Sequence, residues 1–204
     1  MLNFRMIKTI HIFLLLILST TLLASEDGSG FYMGVGVGST AYIDSEFAKA
    51  QVNKNVTEEV SENATGVKVY GGYQVNSIIG VEATYIYYGA FKVNDDYTYT
   101  AQGVSLSTNV GYSFLTGQLR PYILLGLGYV YSDFPHRGID VADQSPTLHI
   151  GFGMDYAPEA FGGIGIRGAY ESNSFSYKIE EGTPEEKKYI QGFGALYIGC
   201  FYKF

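Results

Sequence analysis

The sequence predicts an all-β fold: an eight-stranded antiparallel transmembrane β-barrel that follows an N-terminal signal peptide. Three observations support it. Segments alternate large apolar with small or polar residues, connections alternate between short and long, and a positively charged N-terminus precedes an apolar run. The chain holds 26 Gly and 19 Tyr but no Trp. Because Tyr favours strands and Gly disfavours helices, this composition argues against a helical bundle.

The first 25 residues have the order of a secretory signal. Arg5 and Lys8 give a positive front, an apolar run follows over 10–18, and a small residue suits cleavage near Ala24 or Ser25. A membrane anchor is the alternative, but the run is shorter than the roughly 20 residues that a spanning helix needs. We therefore expect a signal peptide at 1–25 and one barrel domain at 26–204.

The charge and cysteine content exclude several function classes. The chain has 13 basic and 20 acidic residues, a net charge of −7, so we expect no nucleic acid partner. Cys200 is the only cysteine, which excludes an internal disulfide and a cysteine-based metal site. We predict neither a cofactor nor a metal centre.

The connections between strands are of two kinds. The second and third, fourth and fifth, and sixth and seventh strands are joined by short turns, whereas the other four connections, 42–63, 91–98, 133–144 and 174–188, are longer or more polar. This asymmetry is typical of bacterial transmembrane barrels, with both termini on the short-turn, periplasmic side. We predict strands at 31–41, 65–75, 78–90, 99–114, 121–132, 145–156, 162–173 and 189–203.

The alternation assigns strand residues to lipid or to lumen. In the sixth strand, Leu148, Ile150 and Phe152 share one face, whereas His149 and Gly151 share the other. A water-soluble barrel would place the bulky apolar side chains inside. Here the large apolar side chains share one face and the small or polar ones share the other, so we expect the apolar face to contact lipid.

The opposite face lines the lumen and carries buried charge. An isolated charge there would be costly, so we expect Lys68 to approach Glu82, and Glu82 to meet Arg167 across the lumen. An eight-stranded barrel is just wide enough for its own side chains, so we expect a plugged lumen. Leu124 and Val130 of the fifth strand depart from the pattern, since they are apolar on this face. The predicted lumen set is Lys68, Glu82, His149, Asp155, Arg167 and Glu171.

Aromatic residues gather at the two ends of the apolar stripes. A Tyr ring favours a membrane–water interface because it has an apolar body and a polar tip, so we predict two aromatic belts. Near the short turns lie Phe31, Tyr73, Tyr112, Phe114, Tyr156, Tyr202 and Phe204. Toward the long loops lie Tyr42, Tyr85, Tyr87, Tyr131 and Tyr170.

The segments 31–38, 120–122, 126–129 and 197–204 carry a resemblance to a known family. The chain resembles the small outer-membrane β-barrel superfamily, which includes the transmembrane domain of outer membrane protein A and the opacity-type surface proteins. The resemblance implies a bacterial outer-membrane location with lipid and lipopolysaccharide as surroundings. Because the sequence stops at Phe204, we expect no peptidoglycan-binding domain after the barrel. The resemblance also implies that the alternating residues of the last strand are a signal for the barrel-assembly machinery. These residues are Ile198, Cys200, Tyr202 and Phe204.

Two enzyme classes can be compared with the residues present. Lipid-modifying barrels need a Ser nucleophile and a His base near the outer leaflet, but no Ser lies two residues after His149, which faces the lumen. Outer-membrane proteases use Asp and His at the rim of a larger barrel. The acidic loops could collect divalent cations, but their spacing defines no site. We predict no enzyme. The loop residues considered are Asp95, Asp96, Asp133, His136 and Asp140.

The sequence therefore favours a structural or surface-interaction protein of the outer membrane. Its polar loops would act as an adhesin or receptor for a host or surface ligand, and the barrel would support envelope integrity. Two alternatives stay open: a narrow channel for ions or small solutes, and a lipid-A-modifying barrel enzyme. Bilayer conductance tests the first and lipid A analysis tests the second.

Overall fold

The computed structural model describes residues 28–44, 63–93, 97–132, 144–179 and 187–204. The predicted signal peptide, and the loop residues Asp95, Asp96, Asp133, His136 and Asp140, lie outside the described residues. A turn of 3₁₀ helix covers Glu159–Phe161. The strands are β1 (Gly30–Asp44), β2 (Asn63–Gln74), β3 (Ile79–Val93), β4 (Tyr97–Gly111), β5 (Leu119–Ser132), β6 (Gln144–Tyr156), β7 (Ile164–Ile179) and β8 (Lys187–Lys203).

The eight strands close into one antiparallel barrel in sequence order, with β8 paired to β1. Paired residues lead once around the ring from Ala41 through Gly194, Ser172, Ile150, Leu125, Thr108, Val81 and Tyr73 to Phe31. The row thus returns to β1 ten residues before its start. This stagger tilts the strands, by about 35–45° in barrels of this class. The predicted fold class is confirmed.

No helix among the described residues is long and apolar enough to cross a membrane.

The side chains alternate between the two faces as predicted. Leu127 and Ile198 are among the many large apolar residues exposed on the outside, whereas the lumen face is buried. Leu124 and Val130, the exceptions in the fifth strand, do face inward. Leu124 packs in one buried apolar cluster and Val130 in another, so both fill space inside the barrel.

Several strands end at other positions than the alternation predicts. β7 extends to Ile179 and β8 begins at Lys187, so the connection between them is shorter than expected. The apolar alternation reports only the lipid-covered stretch, whereas backbone pairing continues beyond it. At the other end, β4 ends at Gly111 rather than 114, and Phe114 keeps only an isolated bridge to Leu119.

Candidate functional site

The lumen has three successive regions: two are filled by side chains and the third is a cavity. The ionic centre comprises the six predicted lumen residues, Lys68, Glu82, His149, Asp155, Arg167 and Glu171. The outer cluster lies toward the long loops and comprises Ile86, Tyr88, Phe91, Ala101, Val130, Phe193 and Ala195. The vestibule is a cavity of about 480 Å³ at the short-turn end of the lumen.

Arg167 of β7 joins both sides of the lumen. Its Nε and Nη2 lie 2.7 and 2.9 Å from the two carboxylate oxygens of Asp155, a bidentate pair between residues that are directly opposite on β6 and β7. Its Nη1 lies 2.7 Å from Oε2 of Glu82 on β3. The expected contact between Glu82 and Arg167 is therefore present. Charge-assisted, bidentate bonds of this kind are among the stronger ones in proteins.

Lys68 links Glu82 to the second half of the ionic centre. Its Nζ lies 3.4 Å from Oε1 of Glu82 and donates to Oε1 of Glu171 and to the Tyr197 hydroxyl. Glu171 in turn lies 3.2 Å from Nε2 of His149. The structure thus brings all six residues into one connected set that crosses the barrel.

Aromatic rings surround the Arg167 guanidinium. Its centre lies 4.3 Å from the Tyr70 ring and 4.6 Å from the Tyr122 ring, with Tyr32 and Phe201 at 5.6 and 5.8 Å. Cation–π contacts of this kind are strongest where water is excluded. Sequence reasoning missed these rings, although the two-residue alternation with Gly34 and Gly72 places Tyr32 and Tyr70 on the lumen face.

Ser107, His149 and Glu171 lie in a row that resembles a hydrolytic triad. Ser107 Oγ is 2.6 Å from His149 Nδ1, and Glu171 holds Nε2 on the other side of the ring. Gly126 makes this possible, since it pairs with both Ser107 and His149, and a Cβ there would lie 2.3 Å from Ser107 Oγ. Ser107 is 3% exposed and His149 0%, so a substrate does not reach the hydroxyl in this arrangement. Ser107 was missed because it is far from His149 in sequence.

The outer cluster closes the lumen with rings. The Tyr88 and Phe91 ring centroids lie 5.0 and 5.9 Å from that of Phe193, and Phe91 is 0% exposed. Tyr42 packs against Phe193 at 5.4 Å. The prediction of Tyr42 as a belt residue is therefore wrong. Tyr42 shares the inward parity of Thr40 and contributes to the lumen filling.

The vestibule is lined by side chains of both charges. Arg120 donates to Asn109 Oδ1 at 2.7 Å and to the Ile78 carbonyl at 3.0 Å, and Lys203 donates to the Gly28 carbonyl at 2.7 Å. Asp155 of the ionic centre also lines the cavity. These polar groups are thus engaged with the protein itself. The described part of the chain contains no group of three or more His, Cys, Asp or Glu suited to a metal ion.

Apart from Tyr42, the predicted belt residues lie on the outer face. At the short-turn end, ring pairs form between Phe31 and Tyr73, Tyr112 and Phe114, and Tyr202 and Phe204, with centroids 4.7, 4.8 and 5.0 Å apart. Tyr156 is exposed at the end of β6. At the outer end, Tyr85, Tyr87 and Tyr131 are exposed.

Two further residues and the proposed assembly residues also lie on this face. Tyr170 is half-buried against Phe152, at a centroid distance of 5.6 Å, where the apolar stripe of β7 ends. Sequence reasoning missed the exposed Tyr129. The proposed assembly residues Ile198, Cys200, Tyr202 and Phe204 all face outward, and their recognition stays a prediction.

Comparison with known proteins is consistent with this geometry. Outer membrane protein A of Salmonella typhi is 34% identical over 111 residues, which are 53% of this chain and 30% of the relative. That of Shigella dysenteriae is 32% identical over 64% of this chain and 36% of the relative. The chain thus spans about a third of the length of these relatives.

Solved structures share the fold at low identity. Neisserial surface protein A superposes with a TM-score of 0.58 at 16% identity, over 87% of this chain and 100% of that one. The attachment invasion locus protein of Yersinia pestis gives 0.51 at 16% identity, over 86% and 99%. Residues 11–204 match the family described as the outer membrane protein beta-barrel domain. The chain therefore belongs to this outer-membrane β-barrel family, whose place is the bacterial outer membrane.

Proposed function

We propose that the protein is a membrane-anchored scaffold that presents its long polar loops at the cell surface for adhesion or receptor-like binding, and that it adds to envelope integrity. One observation carries the proposal: the lumen is occupied by the ionic centre and the outer cluster. A barrel filled in this way is suited to hold loops rigidly rather than to pass solutes.

The charge of the loops indicates the kind of partner. The predicted connections 42–63, 91–98, 133–144 and 174–188 contain fourteen acidic and seven basic residues. Such an excess favours a basic surface and disfavours polyanions. The Yersinia pestis protein has been solved in complex with the heparin analogue sucrose octasulfate. The acidic loops of this chain should favour a ligand of opposite charge.

Loop replacement in cells tests the proposal. Segments 46–61 and 181–185 are replaced by short Gly-Ser linkers, which leave every described pair of β1–β2 and β7–β8 intact. We expect cells that make this variant to lose attachment to host-cell or surface-coated layers while the barrel still folds. A matched variant with the length of the natural chain, in which only the five Glu residues of these segments are changed to Gln, should lose most of the attachment.

Conductance of the purified barrel in planar bilayers provides the opposing outcome. Unchanged attachment of both loop variants, together with steady channel openings that disappear on Glu82→Gln substitution, would contradict the proposal and favour the channel. The enzyme alternative is tested by comparing lipid A from cells with and without the protein.

A further inference from the structure

Each of the three short periplasmic turns carries one large, exposed apolar residue. These are Ile78, Leu115 and Phe161, called here the turn residues, and they are 46%, 66% and 51% exposed. Single exposed apolar residues are common on protein surfaces and need no explanation. Here all three turns of one rim present such a residue, so the repetition needs an explanation.

The turns sort their residues by polarity. Ser77, Thr116 and Glu159 line the vestibule, whereas none of the turn residues does. Each turn thus directs at least one polar side chain to the vestibule and leaves its large apolar side chain outside it.

The turn residues continue a surface that already faces lipid. Phe114 directly precedes Leu115 and packs edge-to-face on Tyr112 in the aromatic belt near the short turns. Leu115 has a φ of 50° and Thr116 one of 56°. This left-handed conformation disfavours Leu and is readily accepted by Gly or Asn. A turn in water would gain from a polar residue at this position, whereas a turn in lipid gains from Leu.

We propose that the turn residues bind phospholipids of the periplasmic leaflet at the boundary between headgroups and acyl chains, and so set the depth of the barrel. Apolar residues are stabilised at this boundary by burial of their surface in the lipid. Phospholipid is the occupant because Leu115 directly follows Phe114 of the lipid-facing belt, and Ile78 and Phe161 are exposed on the same rim. The anchor fixes the periplasmic rim, independently of what the loops on the opposite side bind.

The absence of native Trp permits a direct test. The full mature chain is refolded into vesicles of phosphatidylcholine brominated at defined acyl positions, with one Trp introduced at Ile78, Leu115 or Phe161. We expect strong quenching by lipids brominated near the headgroup and weaker quenching by those brominated near the chain end. The neighbouring controls Ser77→Trp and Gln118→Trp, which line the vestibule, should show little quenching.

Folding of each variant is checked by circular dichroism, and three independent positions keep the test open if one variant fails to fold. Turn-residue Trp side chains that emit as in water and escape quenching, like the controls, would overturn the proposal. That result would leave a periplasmic protein as the alternative occupant of the rim.

A matched pair of substitutions adds a second measurement. Leu115→Asn and Thr116→Asn both place a tolerant residue at a left-handed position, but only the first removes a large apolar side chain. We expect Leu115→Asn to have the lower urea midpoint of the two in vesicles. An equal or higher midpoint for Leu115→Asn would contradict lipid binding at this turn.

Discussion

The ionic centre and the outer cluster fill the same narrow lumen by opposite means. The ionic centre buries Glu82 and Arg167 almost completely and compensates each charge with a partner. The outer cluster buries rings around Phe193 without charge. In the first, stability depends on complete pairing, because one orphaned charge is costly. In the second, it depends on volume, because a missing ring leaves a cavity. The two regions should therefore respond differently to substitution.

Arg167→Met should have the largest effect. It leaves Glu82 and Asp155 buried without their shared partner, so we expect the free energy of unfolding to fall by about 3–5 kcal/mol. Urea unfolding in lipid vesicles, followed by circular dichroism, measures it. The double variant with Glu82→Gln should recover part of the loss, because it removes a buried charge that keeps only the more distant Lys68 as its ionic partner. An Arg167→Met protein as stable as wild type would show that the pair does not stabilise the barrel.

Phe193→Ala tests the outer cluster. The ring contacts Tyr88, Phe91 and Tyr42, and its removal should cost about 3–4 kcal/mol through lost burial and the cavity that remains. Phe193→Leu should cost less, because it keeps most of the volume. If Ala and Leu are equally destabilising, volume is not what this region requires.

Ile150→Arg compares the outer face with both lumen regions. Ile150 lies midway along β6 and is exposed on the lipid-facing side. A charge at the bilayer midplane should cost about 2–4 kcal/mol in vesicles. The measurement is the same urea titration, and a neutral result would reverse the assignment of faces.

Gly126→Ala should have the smallest of these effects. The added methyl group would meet both the Leu106 carbonyl oxygen and the Ser107 side chain, so β4 must shift and Ser107 moves away from His149, at a cost of about 1–3 kcal/mol. Gly168→Ala is the matched control, since a Cβ there meets nothing within 4 Å and should change stability little. Equal urea midpoints for the two variants would show that the approach of Ser107 to His149 does not require the glycine.

The sequence was sufficient to predict the fold and the facing of most strand residues. Two-residue alternation is a local property, and lipid outside the barrel makes it unusually clear, as the sixth strand illustrates. It also indicated the contact of Glu82 with Arg167, because isolated charges in a narrow lumen need partners. The two-residue alternation did not predict where the strands end. β7 continues to Ile179, and its Phe175 packs against the outer cluster, which supports strand pairing beyond the apolar stripe.

The sequence by itself determined which residues of each strand face lipid and which face the lumen, because neighbouring side chains on a strand must point to opposite faces. What only the tertiary structure decided is which lumen residues meet besides Glu82 and Arg167. The ten-residue stagger of the closed ring sets their relative heights, and so brings Ser107 to His149 and the four rings to Arg167. These contacts join strands that are distant in sequence, so no local pattern encodes them.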